Sequence, residues 1–189
     1  MNKPVIFLDF DGCIASQGKI RGDQDLEGHF SKREKRLTCS KVISDHDSWA
    51  LDTLKEHAHI AIISGDKNVN DLWAKHRGIP FIFTSAAGFH GDKWQHLQDY
   101  WQENFRLKGD PKGNYFYLGD SMPDYKCMLN SNQAFMPADA CKVLKRLNDD
   151  NSHGFINLRT ESGKGCFEEM ALQLVDMNVL RMKFLAGDK

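Results

Sequence analysis

Two aspartates, Asp9 and Asp11, stand in "VIFLDFDGC" directly behind an apolar run. An unpaired carboxylate is costly to bury, so a strand that ends in two of them needs something nearby to offset their charge. In extended backbone, residues two apart point to the same side. Asp9 and Asp11 therefore share a face, with Phe10 turned into packing, and Gly12 permits a sharp turn behind them. Further on, "IISGD" closes an apolar run with Ser64, Gly65 and Asp66, and "GDK" sets Lys93 at the head of a helical stretch. "LGDSMPD" then places Asp120 and Asp124 one helical turn apart. The inventory is three or four carboxylates, one hydroxyl and one lysine. Such oxygen donors suit Mg²⁺, a hard cation that keeps waters and a phosphate oxygen among its ligands. A nucleophile, a metal and donors to the equatorial oxygens are what phosphoryl transfer requires.

These residues need elements to hold them. Short apolar runs at 5–10, 59–64, 80–84, 115–119 and 133–136 read as strands. Between and after them, helical patterns run over 48–57, 68–77, 93–105, 123–129, 139–147 and 165–177. Continuous apolar strands alternating with amphipathic helices predict an α/β, Rossmann-like fold: a mostly parallel sheet with helices on both faces, a three-layer sandwich. Ligand sites in such sheets form beyond the carboxyl ends of the strands, where the two aspartates lie. One segment breaks the rhythm. Residues 16–45 have no clean helical period and are punctuated by glycines, which predicts a projecting β-hairpin flap. The whole of 1–189 is expected to form one domain without a large cap, and the tail 178–189 is too apolar to be idle.

Composition narrows the function classes. With 25 basic and 26 acidic side chains the net charge is −1, which gives no global attraction to nucleic acid. No apolar stretch approaches the roughly 20 residues of a membrane span, and the first residues do not read as a signal peptide. The five cysteines are scattered and form no C-x-x-C pair, so they read as reduced thiols of a cytoplasmic protein. Each site residue also has a plainer reading. Asp9 and Asp11 could be satisfied by helix N-termini, Ser64 or Asp66 could cap the helix that follows, and Lys93 could be an exposed lysine. The basic run Lys32, Arg33, Lys35 and Arg36 could be a solvated hairpin tip or could steer an anionic substrate.

In this order, "DFDGC", "ISG", "GDK" and "GDSMPD" resemble the four motifs of the haloacid dehalogenase (HAD) superfamily of phosphatases. The order of "SDHDSWALDTLKE", "AIISGDKNVNDLWAKHRGIPFIF" and "GKGCFEE" is similar to its small capless subfamily, typified by 3-deoxy-D-manno-octulosonate 8-phosphate phosphatase. The resemblance implies Asp9 as nucleophile and Asp11 as the acid that protonates the leaving oxygen, then as the base that activates water. It implies Mg²⁺ held by Asp9, Asp120 and the Asp11 carbonyl, with Asp124 supporting them. Ser64, Gly65 and Lys93 would bind the phosphoryl group, while Asp47 and Asp66 would line the substrate pocket. It further implies a small phosphorylated metabolite, a sugar or sugar acid, as substrate, and a homo-oligomer, a tetramer, in which neighbouring subunits cover the site. Three departures stand out. "CIASQG" follows the first motif where the family carries a "VLSDG"-like stretch, Ser121 takes the second acidic place, and Asp66 stands where an arginine would suit a sugar carboxylate. A nucleotide or polynucleotide-end phosphatase and an inactive scaffold of the same fold are the competing readings.

Overall fold

The computed structural model describes residues 3–17, 41–86, 89–90 and 92–180. Its centre is a six-stranded parallel sheet built from β1 (Val5–Leu8), β4 (His59–Ser64), β5 (Phe81–Phe83), β8 (Phe116–Leu118), β9 (Gln133–Met136) and β10 (Ile156–Asn157). Spatial order is β10-β9-β8-β1-β4-β5. The chain first builds outward from β1 through β4 to β5, then returns to the other side of β1 to lay down β8, β9 and β10. The reversal falls between β1 and β8, and a crevice for ligands opens at the carboxyl end of such a switch.

Alternation along β1 separates two cores. Ile6, Leu8 and Phe10 pack with Leu51 and Leu54 of α1 (Asp45–Leu54), Ala74 of α2 (Asn68–His76), and Phe167, Met170 and Leu174 of α6 (Cys166–Asp176). Val5 and Phe7 face the other way. They join Leu97 and Trp101 of α3 (Lys93–Asn104), Cys127 and Met128 of α4 (Tyr125–Leu129), and Leu144 of α5 (Lys142–Asn151). A strand buried on both faces must be apolar throughout, which is why it reads as an uninterrupted hydrophobic run. The expected parallel three-layer sandwich is present, and the described residues include no separate cap domain.

The flap has its base in place. β2 (Ala15–Gln17) and β3 (Lys41–Ile43) pair antiparallel, with Gln17 opposite Lys41. Residues 18–40, including the basic run 32–36, lie outside the described residues. Of the apolar tail, Val179 packs against the first core and Leu180 is buried in it, while 181–189 lie outside the description. A small antiparallel pair, β6 (Ser85–Ala86) and β7 (Phe89–His90), and the short edge strand β10 were not expected from the sequence. The predicted helix 123–129 is a 3₁₀ turn, Met122–Asp124, running into α4. No helix among the described residues is long and apolar enough to cross a membrane.

Candidate active site

Three neighbouring strands, β8, β1 and β4, end side by side at the switch point. Asp9 directly follows β1, and its N–H still pairs with the Leu118 carbonyl of β8 (2.9 Å). Its carboxylate accepts from the Phe10 N–H (2.8 Å) and from the Lys93 ammonium (2.9 Å). Asp120 and Asp124 come from the loop after β8. Carboxylate oxygens of Asp9, Asp120 and Asp124 all lie within 4.8 Å of one another.

One lysine serves this cluster. Lys93 opens α3, is 4% exposed along its side chain, and donates to Asp9 and to Asp124 (2.8 Å). Burial alone would lower its pKa, but the Asp124 and Asp9 carboxylates overcome that and hold it above the usual lysine value. Burial also pushes the Asp9 carboxyl well up, reinforced by the charge on Asp124 and opposed by Lys93. Burial and Asp124 raise Asp120 to about 6. Asp124 goes the other way: burial would raise it, yet the Lys93 charge and hydrogen bonds from Lys93, Tyr117 and Ser121 hold it below the usual range. Its oxygens accept from the Tyr117 hydroxyl (2.8 Å), the Ser121 hydroxyl (3.1 Å) and the N–H groups of Asp120 and Ser121. Asp124 is thus largely spoken for by the protein. Asp120 is not, because its buried Oδ1 has no partner among the described residues.

Two glycines make the approach possible. Gly12 adopts φ +82°, and a Cβ there would overlap the Asp120 carboxylate. A Cβ on Gly119 would press on the Asp124 side chain in the same way.

A second group of polar side chains flanks the first. Asp11 points both carboxylate oxygens into partners: Oδ1 pairs with the Lys41 ammonium (2.7 Å) and Oδ2 accepts from Asn70 Nδ2 (2.8 Å). Lys41 also pairs with Asp66 (2.7 Å). Ser64 ends β4 with its oxygen accepting from Asn70 Nδ2 (3.0 Å) and the Asp66 N–H (3.2 Å). With both lone pairs engaged, the hydroxyl proton is left to donate outward.

No protein-family model matches the sequence, and a search of curated proteins finds no match. Solved structures do resemble it. A Streptomyces avermitilis protein assigned to the HAD hydrolase family superposes with a TM-score of 0.65 at 17% identity, covering 94% of this chain and 87% of that one. The cobalt-bound deoxy-D-mannose-octulosonate 8-phosphate phosphatase of Haemophilus influenzae gives 0.65 at 21% identity over 93% and 88%. The 3-deoxy-D-manno-octulosonate 8-phosphate phosphatase of Moraxella catarrhalis, in complex with magnesium ion, phosphate ion and KDO, gives 0.65 at 20% identity over 92% and 86%. The fold is that of the HAD family hydrolases.

Within this HAD fold, Asp9, Asp120, Asp124 and Lys93 meet in one cluster. Asp11, Ser64 and Asp66 meet beside it, and Gly65 follows Ser64 at the end of β4. The cluster fits a divalent cation on its own evidence. Three carboxylates, two of them buried, gather around a single ammonium; two have raised pKa values, and one carboxylate oxygen lacks a donor. Asp47 joins neither group: it is fully buried and accepts the N–H groups of Gly165 (3.2 Å), Phe167 (2.8 Å) and Glu168 (3.1 Å) at the start of α6. An acceptor is needed there because the first turn of a helix leaves amides without partners. Lys41 and Asn70 were missed by sequence reasoning. A lysine inside the apolar "CSKVI" was the available signal for Lys41. Nothing local pointed to Asn70, which bonds a residue 59 positions away.

Proposed function

We propose that this protein is a divalent-metal-dependent phosphatase that hydrolyses a monoester of a small phosphorylated metabolite through an aspartyl phosphate on Asp9. The observation that carries the reading is the convergence of three carboxylates and one buried lysine at the switch point of a HAD fold. Mg²⁺ is the proposed metal, held by Asp9, Asp120 and the Asp11 carbonyl, with Asp124 and its donors fixing the shell. When bound, the cation supplies positive charge to the phosphoryl oxygens and to the crowded carboxylates.

The residues divide the rest of the work. Lys93 uses two protons on Asp9 and Asp124, and the third is available to a phosphoryl oxygen. The Ser64 hydroxyl donates to another, beside the Gly65 backbone. Asp9 attacks phosphorus: its oxygen forms a P–O bond while the bond to the leaving oxygen breaks, and that oxygen takes the proton from Asp11. Asp11, now ionised, takes a proton from the water that attacks the aspartyl phosphate. The P–O bond to Asp9 then breaks, and inorganic phosphate and the free carboxylate are regenerated.

A sugar or sugar-acid phosphate is the proposed substrate class, supported by the octulosonate phosphatases among the structural neighbours. Asp66 is half-exposed and shares Lys41 with Asp11, so two carboxylates stand against one ammonium there, which favours a neutral sugar over a sugar acid. We further propose a single domain that acts as a homo-oligomer, a tetramer, in the cytoplasm. The test is phosphate release from p-nitrophenyl phosphate and a panel of phosphosugars and nucleoside monophosphates with added Mg²⁺. Turnover must disappear with EDTA and in Asp9→Asn. Preference for nucleotides would overturn the substrate class, and no turnover on any ester would overturn the phosphatase.

A further inference from the structure

Lys41 lies on β3 at the base of the flap, yet its ammonium is turned inward, with only 8% of the side chain exposed. A buried ammonium is tolerated only when its three protons find acceptors. Here the three are Asp11 Oδ1 (2.7 Å), Asp66 Oδ2 (2.7 Å) and Asn70 Oδ1 (2.6 Å). The ammonium also lies over the Phe10 ring, 5.6 Å from the centroid. No proton is left over for a substrate anion in this arrangement.

Asn70, fully buried on α2, completes the group. Its carbonyl oxygen faces the ammonium, which fixes the amide orientation and sends both N–H bonds to acceptors: Asp11 Oδ2 (2.8 Å) and Ser64 Oγ (3.0 Å). Asp11 is therefore gripped at each oxygen by a different element. The grip uses two of about four acceptor sites on the carboxylate, so a proton can still be carried on another. An acid that must reach one leaving oxygen gains from such fixing, since misplacement by about 1 Å can cost on the order of 10²-fold in rate.

From this geometry we propose that Lys41 and Asn70 are positioning residues that hold Asp11 for proton transfer to the leaving oxygen. The inference rests on the phosphatase reading above and deepens it. Loss of the grip weakens protonation of the leaving group, so its effect depends on how badly that group needs a proton. p-Nitrophenolate leaves readily without one; a phenolate of pKa about 10 does not.

The test compares kcat/KM for p-nitrophenyl phosphate and phenyl phosphate in wild type, Lys41→Met, Lys41→Arg and Asn70→Ala, with thermal melts on each. In Lys41→Met and Asn70→Ala the ratio of the two values is expected to rise about tenfold, a part of the 10²–10⁴ that a general acid supplies. Lys41→Arg is expected to bring the ratio back towards wild type. Should Lys41→Met fail to fold, Asn70→Ala alone decides. Equal losses on both esters, or a uniform rise in KM, would overturn the positioning role while leaving the phosphatase standing. Wild type inactive on both esters would overturn this inference, and inactivity on the whole panel above would overturn the phosphatase as well.

Discussion

Asp120 and Gly12 decide the chemistry together. A carboxylate with one buried oxygen lacking a partner is a poor resting arrangement, costing about 1–3 kcal/mol for an ordinary unsatisfied polar group. It becomes a good one when a cation takes the place of the missing donor. Gly12 leaves the space for that carboxylate, in a left-handed conformation that a side chain would strain. Gly12→Ala is therefore expected to displace the Asp120 carboxylate. Isothermal titration should show Mg²⁺ affinity lost in this variant, whereas Gly78→Ala, also at positive φ but with open space around its Cβ, should bind Mg²⁺ as wild type does. Asp9→Asn tests a different property. Asparagine is nearly isosteric and keeps an oxygen for the Lys93 ammonium, so circular dichroism should be unchanged while turnover is abolished.

At the scale of elements, Asp47 ties α1 to the start of α6. Asp47→Asn puts an N–H₂ group against one of three amide donors, and a loss of about 1–3 kcal/mol is expected in chemical denaturation. Its pH dependence has a definite sign. Burial pushes the Asp47 carboxyl up to about 6 against the pull of three amides. The folded state then holds the proton more tightly than the unfolded one between about pH 4 and 6, so this group's contribution falls as pH rises through that window. That part of the slope should be missing in Asp47→Asn when both proteins are unfolded at a series of pH values. Asp47 also shows where pattern reading stops. The helical pattern reads from 48, whereas Ser44 caps a helix that begins at Asp45. Strands β1, β4, β8 and β9 were legible because burial on both faces demands unbroken apolar runs. β10 was not, being two residues long with one side chain exposed. The Asp9, Asp120, Asp124 and Lys93 set was legible because each residue ends a strand or opens a helix. The Lys41–Asp11–Asn70 group was not, since tertiary packing alone brings it together.

Across the whole molecule, the charge in the cluster couples metal binding to stability. A cation that binds the folded state alone stabilises it by about 2.7 kcal/mol at a hundredfold excess over Kd. For a chain of this length that corresponds to a Tm rise on the order of 5–10 °C. Differential scanning fluorimetry should show such a rise with Mg²⁺, its reversal by EDTA, and its absence in Asp120→Asn. An unchanged Tm in wild type would contradict a metal site at the switch point.

The nucleophile is the central claim, and chemical trapping reads it directly. Protein mixed with p-nitrophenyl phosphate and Mg²⁺, quenched during turnover and reduced with borohydride, carries homoserine at any aspartate that held the phosphoryl group. Peptide mass spectrometry should find homoserine at position 9, dependent on substrate and metal. Phosphate released with Asp9 left unmodified, or homoserine at another aspartate, would contradict the account.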